Sequence, residues 1–160
     1  MTSADAGVQP KRKTPPKGAR RRSRELAVQG LYQWLLNVTS PATLLTQLRE
    51  TKEHAQADDA YLAMLIDGAI PQVDALRAKL GPHLDRDAEQ LSPVEHAILL
   101  LGTYELMACP DVPYKVVINE AVELAKVFGG TDGHKYINGV LDRLAPQLRP
   151  HDMIRKPARS

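Results

Sequence analysis

The sequence predicts an all-α fold, arranged as two small helical bundles divided near residues 81–91. Three observations carry this. Apolar residues recur at helical spacing through the whole middle of the chain. No alternating apolar–polar run bounded by turn residues stands out there. Ser-Pro pairs and Gly-containing stops punctuate the pattern where helices begin and end. With 160 residues the chain is long enough for one domain with a real core or two packed halves. No internal repeat is evident.

The elements follow in order. Helix one runs from about Arg20 to Leu36, with Leu26, Ala27, Gly30, Leu31, Trp34 and Leu35 on one stripe. Helix two starts at Ser40-Pro41, a cap followed by proline at the first helical position, and carries Leu44, Leu45 and Leu48. Helix three spans about Asp58 to Leu80, its stripe including Tyr61, Leu62, Leu65, Ile66, Ala69, Val73, Leu76 and Leu80. Pro71 should kink it, because proline removes a donor and clashes with the preceding turn. Gly81-Pro82 ends it. Helix four opens at Ser92-Pro93-Val94-Glu95, where Ser92 caps and Glu95 can close a capping box. Its body, Val94 to Ala108, is apolar on nearly every side, which predicts the central helix. Helix five covers Tyr114 to Phe128 and stops at Gly129-Gly130. Thr131 or Asp132 caps helix six, which carries Tyr136, Ile137, Val140, Leu141 and Leu144. Residues 1–19 read as a disordered basic arm and 149–160 as a flexible basic tail. The helical domain between them spans 20–148, with halves of about 20–81 and 85–148.

The net charge of +2 hides an asymmetry. The first 24 residues hold eight Lys/Arg against Asp5 alone, whereas residues 25–149 hold ten against 17 acids. A basic arm on an acidic body points to a nucleic-acid partner for the arm and a basic protein partner for the body. The single cysteine, Cys109, allows no internal disulfide and suits a reducing compartment. No apolar run approaches the roughly 18 residues that span a bilayer, and no secretory signal is visible. The expectation is a cytoplasmic protein with no membrane partner.

Chemistry-bearing motifs are sparse. The five histidines form no metal-ligand spacing, Asp132-Gly-His134 is the only tight pair, and no cofactor is expected. Cys109 has no local base, so it reads as a small hydrophobe rather than a nucleophile. The Phe128–His134 turn is glycine-rich but lacks a preceding strand and the spacing of a phosphate loop. Arg20, Arg21, Arg22 and Arg24, however, stack at a helix N-terminus, where partial positive charge disfavours them unless an anion arrives. RNA would supply one. Tyr32 falls off the Leu31/Trp34 stripe and lies on nearly the same face as Arg24, which suits stacking on an unpaired base.

Four stretches together resemble the NusB family of bacterial transcription antitermination factors. They are Arg-Arg-Arg-Ser-Arg-Glu-Leu-Ala-Val-Gln-Gly-Leu-Tyr (20–32), Val94-Glu95-His-Ala-Ile-Leu with Tyr104-Glu105-Leu106, Asp111 through Lys126, and Asn138-Gly-Val-Leu-Asp142. Their order and spacing fit along residues 20–148. The resemblance implies an all-helical fold of two three-helix-bundle halves. It implies binding of the single-stranded boxA RNA of ribosomal transcripts together with NusE, a ribosomal protein. Other Nus factors and RNA polymerase would join the assembly, with no catalysis. By matching position, RNA contact carries to Arg20, Arg21, Arg22, Tyr32, Phe128, Asp132 and Lys135, and Arg24 joins them from its place in the run. The NusE face carries to Glu95 and Tyr104. Leu100 departs from the pattern, standing where relatives often place arginine. Two alternatives stay open: a stand-alone RNA-binding module of ribosomal RNA processing or modification, and a structural dimerisation protein. A homodimer is left open as well.

Overall fold

The computed structural model describes residues 18–128 and 132–154. Among them every regular element is helical. The order is α1 (Ala19–Leu36), α2 (Pro41–Arg49), α3 (Asp59–Ala69), α4 (Val73–Leu80), α5 (Pro93–Ala108), α6 (Tyr114–Phe128), α7 (Gly133–Leu148) and the short α8 (Pro150–Ile154). Short 3-10 turns fill the connections at Lys52–Gln56, Ile70–Gln72, Gly81–His83 and Ala88–Gln90.

The starts obey cap chemistry. Ser40 Oγ accepts from the Thr43 N–H at 3.0 Å, and Ser92 Oγ from the Glu95 N–H at 3.2 Å. Asp58 caps α3 through the Tyr61 N–H at 3.2 Å. Asp132 sits at the start of α7 but makes no side-chain cap bond. Gly129, Gly130 and Thr131, expected as stop and cap, lie outside the described residues. Pro71 does more than kink the long third helix. The helix ends at Ala69, passes through a 3-10 turn over Ile70–Gln72 and restarts at Val73. The missing N–H of Pro71 breaks the ladder there.

α5 is the central element, packed against α1, α3, α4, α6 and α7. Its Ala97–Leu101 run is buried on all sides, Leu100 included, so that position presents nothing to a ligand. Each such leucine contributes about 2–3 kcal/mol of transfer free energy. α3 approaches α5 closely because Gly68 lacks a Cβ: one built there would stand 1.9 Å from the Tyr104 hydroxyl. That contact explains a glycine inside a helix, which costs about 1 kcal/mol against alanine.

Two polar devices hold this packing. Arg24 is buried, and its Nε and Nη2 donate to the Glu105 carboxylate at 2.9 and 2.8 Å. The Tyr61 hydroxyl donates to the same carboxylate, so α1, α3 and α5 are tied at one point. Arg149 is also buried and donates to the carbonyls of Leu106 at 2.6 Å and Cys109 at 2.9 Å. A cation thus caps the C-terminus of α5, where the helix dipole favours it. The tail expected to be flexible from residue 149 therefore begins with a seated side chain and the turn of α8. None of the described helices is long and apolar enough to cross a membrane.

Candidate nucleic-acid interface

The arginine run occupies the first turns of α1, which starts after Gly18 in a left-handed conformation (φ 83°). Ser23 pins this end to the start of α3. Its hydroxyl accepts the Asp58 N–H at 2.9 Å and donates to the Asp58 carbonyl at 2.6 Å.

The four arginines do not present a common cationic face. Arg20 lays its guanidinium over the Tyr61 ring at 4.3 Å and has no carboxylate at ion-pair distance among the described residues. Arg21 grips Glu120 with Nε at 3.0 Å and Nη2 at 2.8 Å. Arg22 pairs with Glu25 at 2.8 Å. Arg24, expected among the RNA-facing residues, is turned inward and committed to Glu105. This corrects the expectation: a guanidinium sealed in the interior cannot also reach a phosphate. Burial lowers the Arg24 proton affinity, but the hydrogen bonds and charge of Glu105 outweigh it and the net shift is upward. The anion that the run needs is thus largely supplied from within the chain. Hydrogen bonds from Arg21 hold the Glu120 carboxyl below its usual range despite partial burial.

Tyr32 and Phe128 come together. Both line a groove of about 480 Å³, with Val28, Gln29 and Gln33 of α1, Gln47 and Leu48 of α2, and Val94 of α5. Tyr32 is exposed and Phe128 half-buried, so the groove offers ring surface to an aromatic ligand. Three glutamine amides add donors and acceptors at its walls. Asp132 and Lys135 stand in solvent at the start of α7, 3.8 Å apart.

The two residues expected to face a protein partner are separated. Glu95 is half-buried in the first turn of α5, and its carboxylate lies against Gly133, at the N-terminus of α7. Tyr104 is buried against Gly68, nine residues further along α5, which is roughly 13 Å of helix rise. Sequence reasoning missed Glu105, Glu120 and the groove glutamines. No local signal marks them, since Arg21 and Glu120 are 99 positions apart.

The fold is that of the solved NusB structures. Thermotoga maritima NusB matches with a TM-score of 0.76 and 27% identity, over 89% of this chain and 99% of that one. A crystal structure of the antitermination factors NusB and NusE in complex with dsRNA matches with a TM-score of 0.71 and 25% identity, over 81% and 97%.

The NusB family pattern matches residues 21–146, and the chain belongs to that family. A Ralstonia nicotianae protein named transcription antitermination protein NusB is 54% identical over 149 residues, covering 93% of this chain and 95% of its own. A Paraburkholderia phymatum protein of the same name is 56% identical over 133 residues, covering 83% and 92%.

Proposed function

We propose that this protein is a transcription antitermination factor that binds single-stranded boxA RNA of ribosomal transcripts together with NusE. It then joins other Nus factors on RNA polymerase, with no catalytic step. The observation that supports this best is the groove that Tyr32, on the helix that carries the arginines, shares with Phe128 at the end of α6. Unpaired bases stack on such rings, whereas the bases of an A-form duplex are already stacked on each other. Arg20 and Lys135 would meet phosphates, Arg21 and Arg22 would line the same path with their charges already balanced by Glu120 and Glu25, and Asp132 would meet a ribose hydroxyl or base amino group. Arg24 has no part in contact. Glu95 serves the NusE side, whereas Tyr104, buried against Gly68, supports the packing of α5 without reaching a partner, and the acidic body steers a basic partner towards that side.

The test is a titration of labelled boxA RNA with and without NusE, with a duplex of the same sequence as a second ligand. The single strand should bind more tightly, and NusE should strengthen it. Tyr32→Ala and Phe128→Ala should each cost about 1–3 kcal/mol of RNA affinity. Preference for the duplex, or wild-type affinity in both variants, would overturn the stacking assignment. Glu95→Gln should weaken NusE binding. It suits the test better than charge reversal, because a lysine beside the N-terminus of α7 would itself be unfavourable. No binding to RNA or NusE would leave a structural role.

A further inference from the structure

We infer that Glu120 restrains Arg21, and so limits the sequence-independent affinity of this protein for RNA phosphates. The inference rests on the RNA-binding function proposed above.

Glu120 lies on α6, and its carboxylate meets the side-on edge of the Arg21 guanidinium with two hydrogen bonds, at 3.0 and 2.8 Å. A phosphate would use the same bidentate geometry. The two partners differ in freedom. The Arg21 side chain is 48% exposed and Glu120 only 16%. Glu120 is held from behind by Arg24, whose Nη1 is 3.7 Å away. When RNA arrives, Arg21 can move outward, but the Glu120 charge stays.

Charge counting gives the sign. Arg21 and Arg24 are balanced by Glu105 and Glu120, so a phosphate approaching Arg21 meets a neutral cluster with a fixed carboxylate in it. An orienting role for Glu120 would have the opposite effect, since its loss would slacken Arg21 and weaken binding. Glu120→Gln separates the two. The glutamine oxygen still accepts from Arg21, so most of the orientation survives while the charge goes.

Phosphate contacts carry no sequence information. Non-specific sites vastly outnumber specific ones in a cell, so a residue that lowers phosphate affinity protects occupancy of the right RNA. Arg22 and Glu25 form a similar pair within α1, but among the described residues no second cation lies at ion-pair distance from Glu25 as Arg24 does from Glu120.

The experiment compares wild type and Glu120→Gln on boxA RNA and on an unstructured cytidine homopolymer of equal length, across a salt series. The variant should bind the homopolymer about two- to five-fold more tightly, the range expected for releasing one exposed ion pair. Its log K against log salt should steepen by about 0.7, one further phosphate. In an Arg21→Gln background the same change should give a smaller gain and leave the salt slope unsteepened, because no guanidinium is freed for a further phosphate. Glu123→Gln, one turn away on α6 and paired instead with Lys126 at 3.4 Å, should not reproduce the gain. Thermal melts establish that each variant is folded. Weaker or unchanged homopolymer binding, or an equal gain in Glu123→Gln, overturns the restraint. If wild type and variant bind neither RNA, the functional proposal itself falls; if wild type binds boxA and the variant gains nothing, only the role of Glu120 falls.

Discussion

Arg24 shows how much one side chain's surroundings decide. It stands in a run of arginines, yet it is buried with Glu105 and Tyr61 where α1, α3 and α5 meet. Burial and the adjacent carboxylate push the Tyr61 phenol far upward, so it keeps its proton and donates to Glu105. The charge pair matters chiefly when it is broken. Glu105→Ala leaves an unpaired guanidinium in the interior and should cost about 3–5 kcal/mol. Replacing both partners with apolar residues of similar size, as in Arg24→Met with Glu105→Leu, should cost far less, because no charge then needs solvation. Urea denaturation of the two variants checks this. Equal losses would show that the pair stabilises as such rather than merely tolerating burial.

At the scale of elements, the contact between α4 and α5 carries a pH-sensitive group. His96 is buried on α5, and Arg77 of α4 donates to its Nε2 at 3.1 Å, which requires a neutral ring with the proton on Nδ1. Burial and then the Arg77 charge lower its pKa to about 4. The unfolded chain therefore takes up this proton first as pH falls. Stability is complete above about pH 6.5 and declines towards pH 4, by about 1.4 kcal/mol per unit in that window. Denaturation at pH 7.0 and 5.5 should differ by about 1 kcal/mol more in wild type than in His96→Gln, which still accepts from Arg77 but does not titrate. An equal difference in both would remove His96 from the acid sensitivity. What was legible in the sequence at this scale follows from range. The stripes of α1 to α7, the Ser40 and Ser92 caps and the break at Pro71 are local, and each is written within a few residues. The exposure of Tyr32 was legible because it departs from its stripe. The partners Glu105 and Glu120 were not, because they lie 81 and 99 positions from the arginines they neutralise. The same holds for Arg149, which caps α5 from 43 positions away and carried no local sign of that role.

For the whole molecule, the relevant quantity is the number of cations left for RNA, and the fold changes that number. The sequence places eight basic residues in the first 24. Arg24 is sealed inside, while Arg21 and Arg22 are engaged by Glu120 and Glu25. Arg20 keeps its charge over the Tyr61 ring, and Lys135 meets Asp132 only at 3.8 Å in solvent. The rest of the basic surplus at this end is Lys11, Arg12, Lys13 and Lys17. If Arg20, Lys135 and those four each neutralise one phosphate, log K for boxA RNA should fall with log salt with a slope of about −4, at roughly −0.7 per contact on a single strand. A chain lacking residues 1–17 should then retain a slope of only about −1.4. It should also keep its thermal stability, because the truncation leaves every core residue among the described ones, from Ala19 onward, in place. Titrations from 50 to 300 mM KCl on both chains measure the difference. A slope unchanged by the truncation would assign the arm no phosphate contact and return the electrostatic share of binding to α1 and α7. A lost melting transition would instead show that residues 1–17 support the fold.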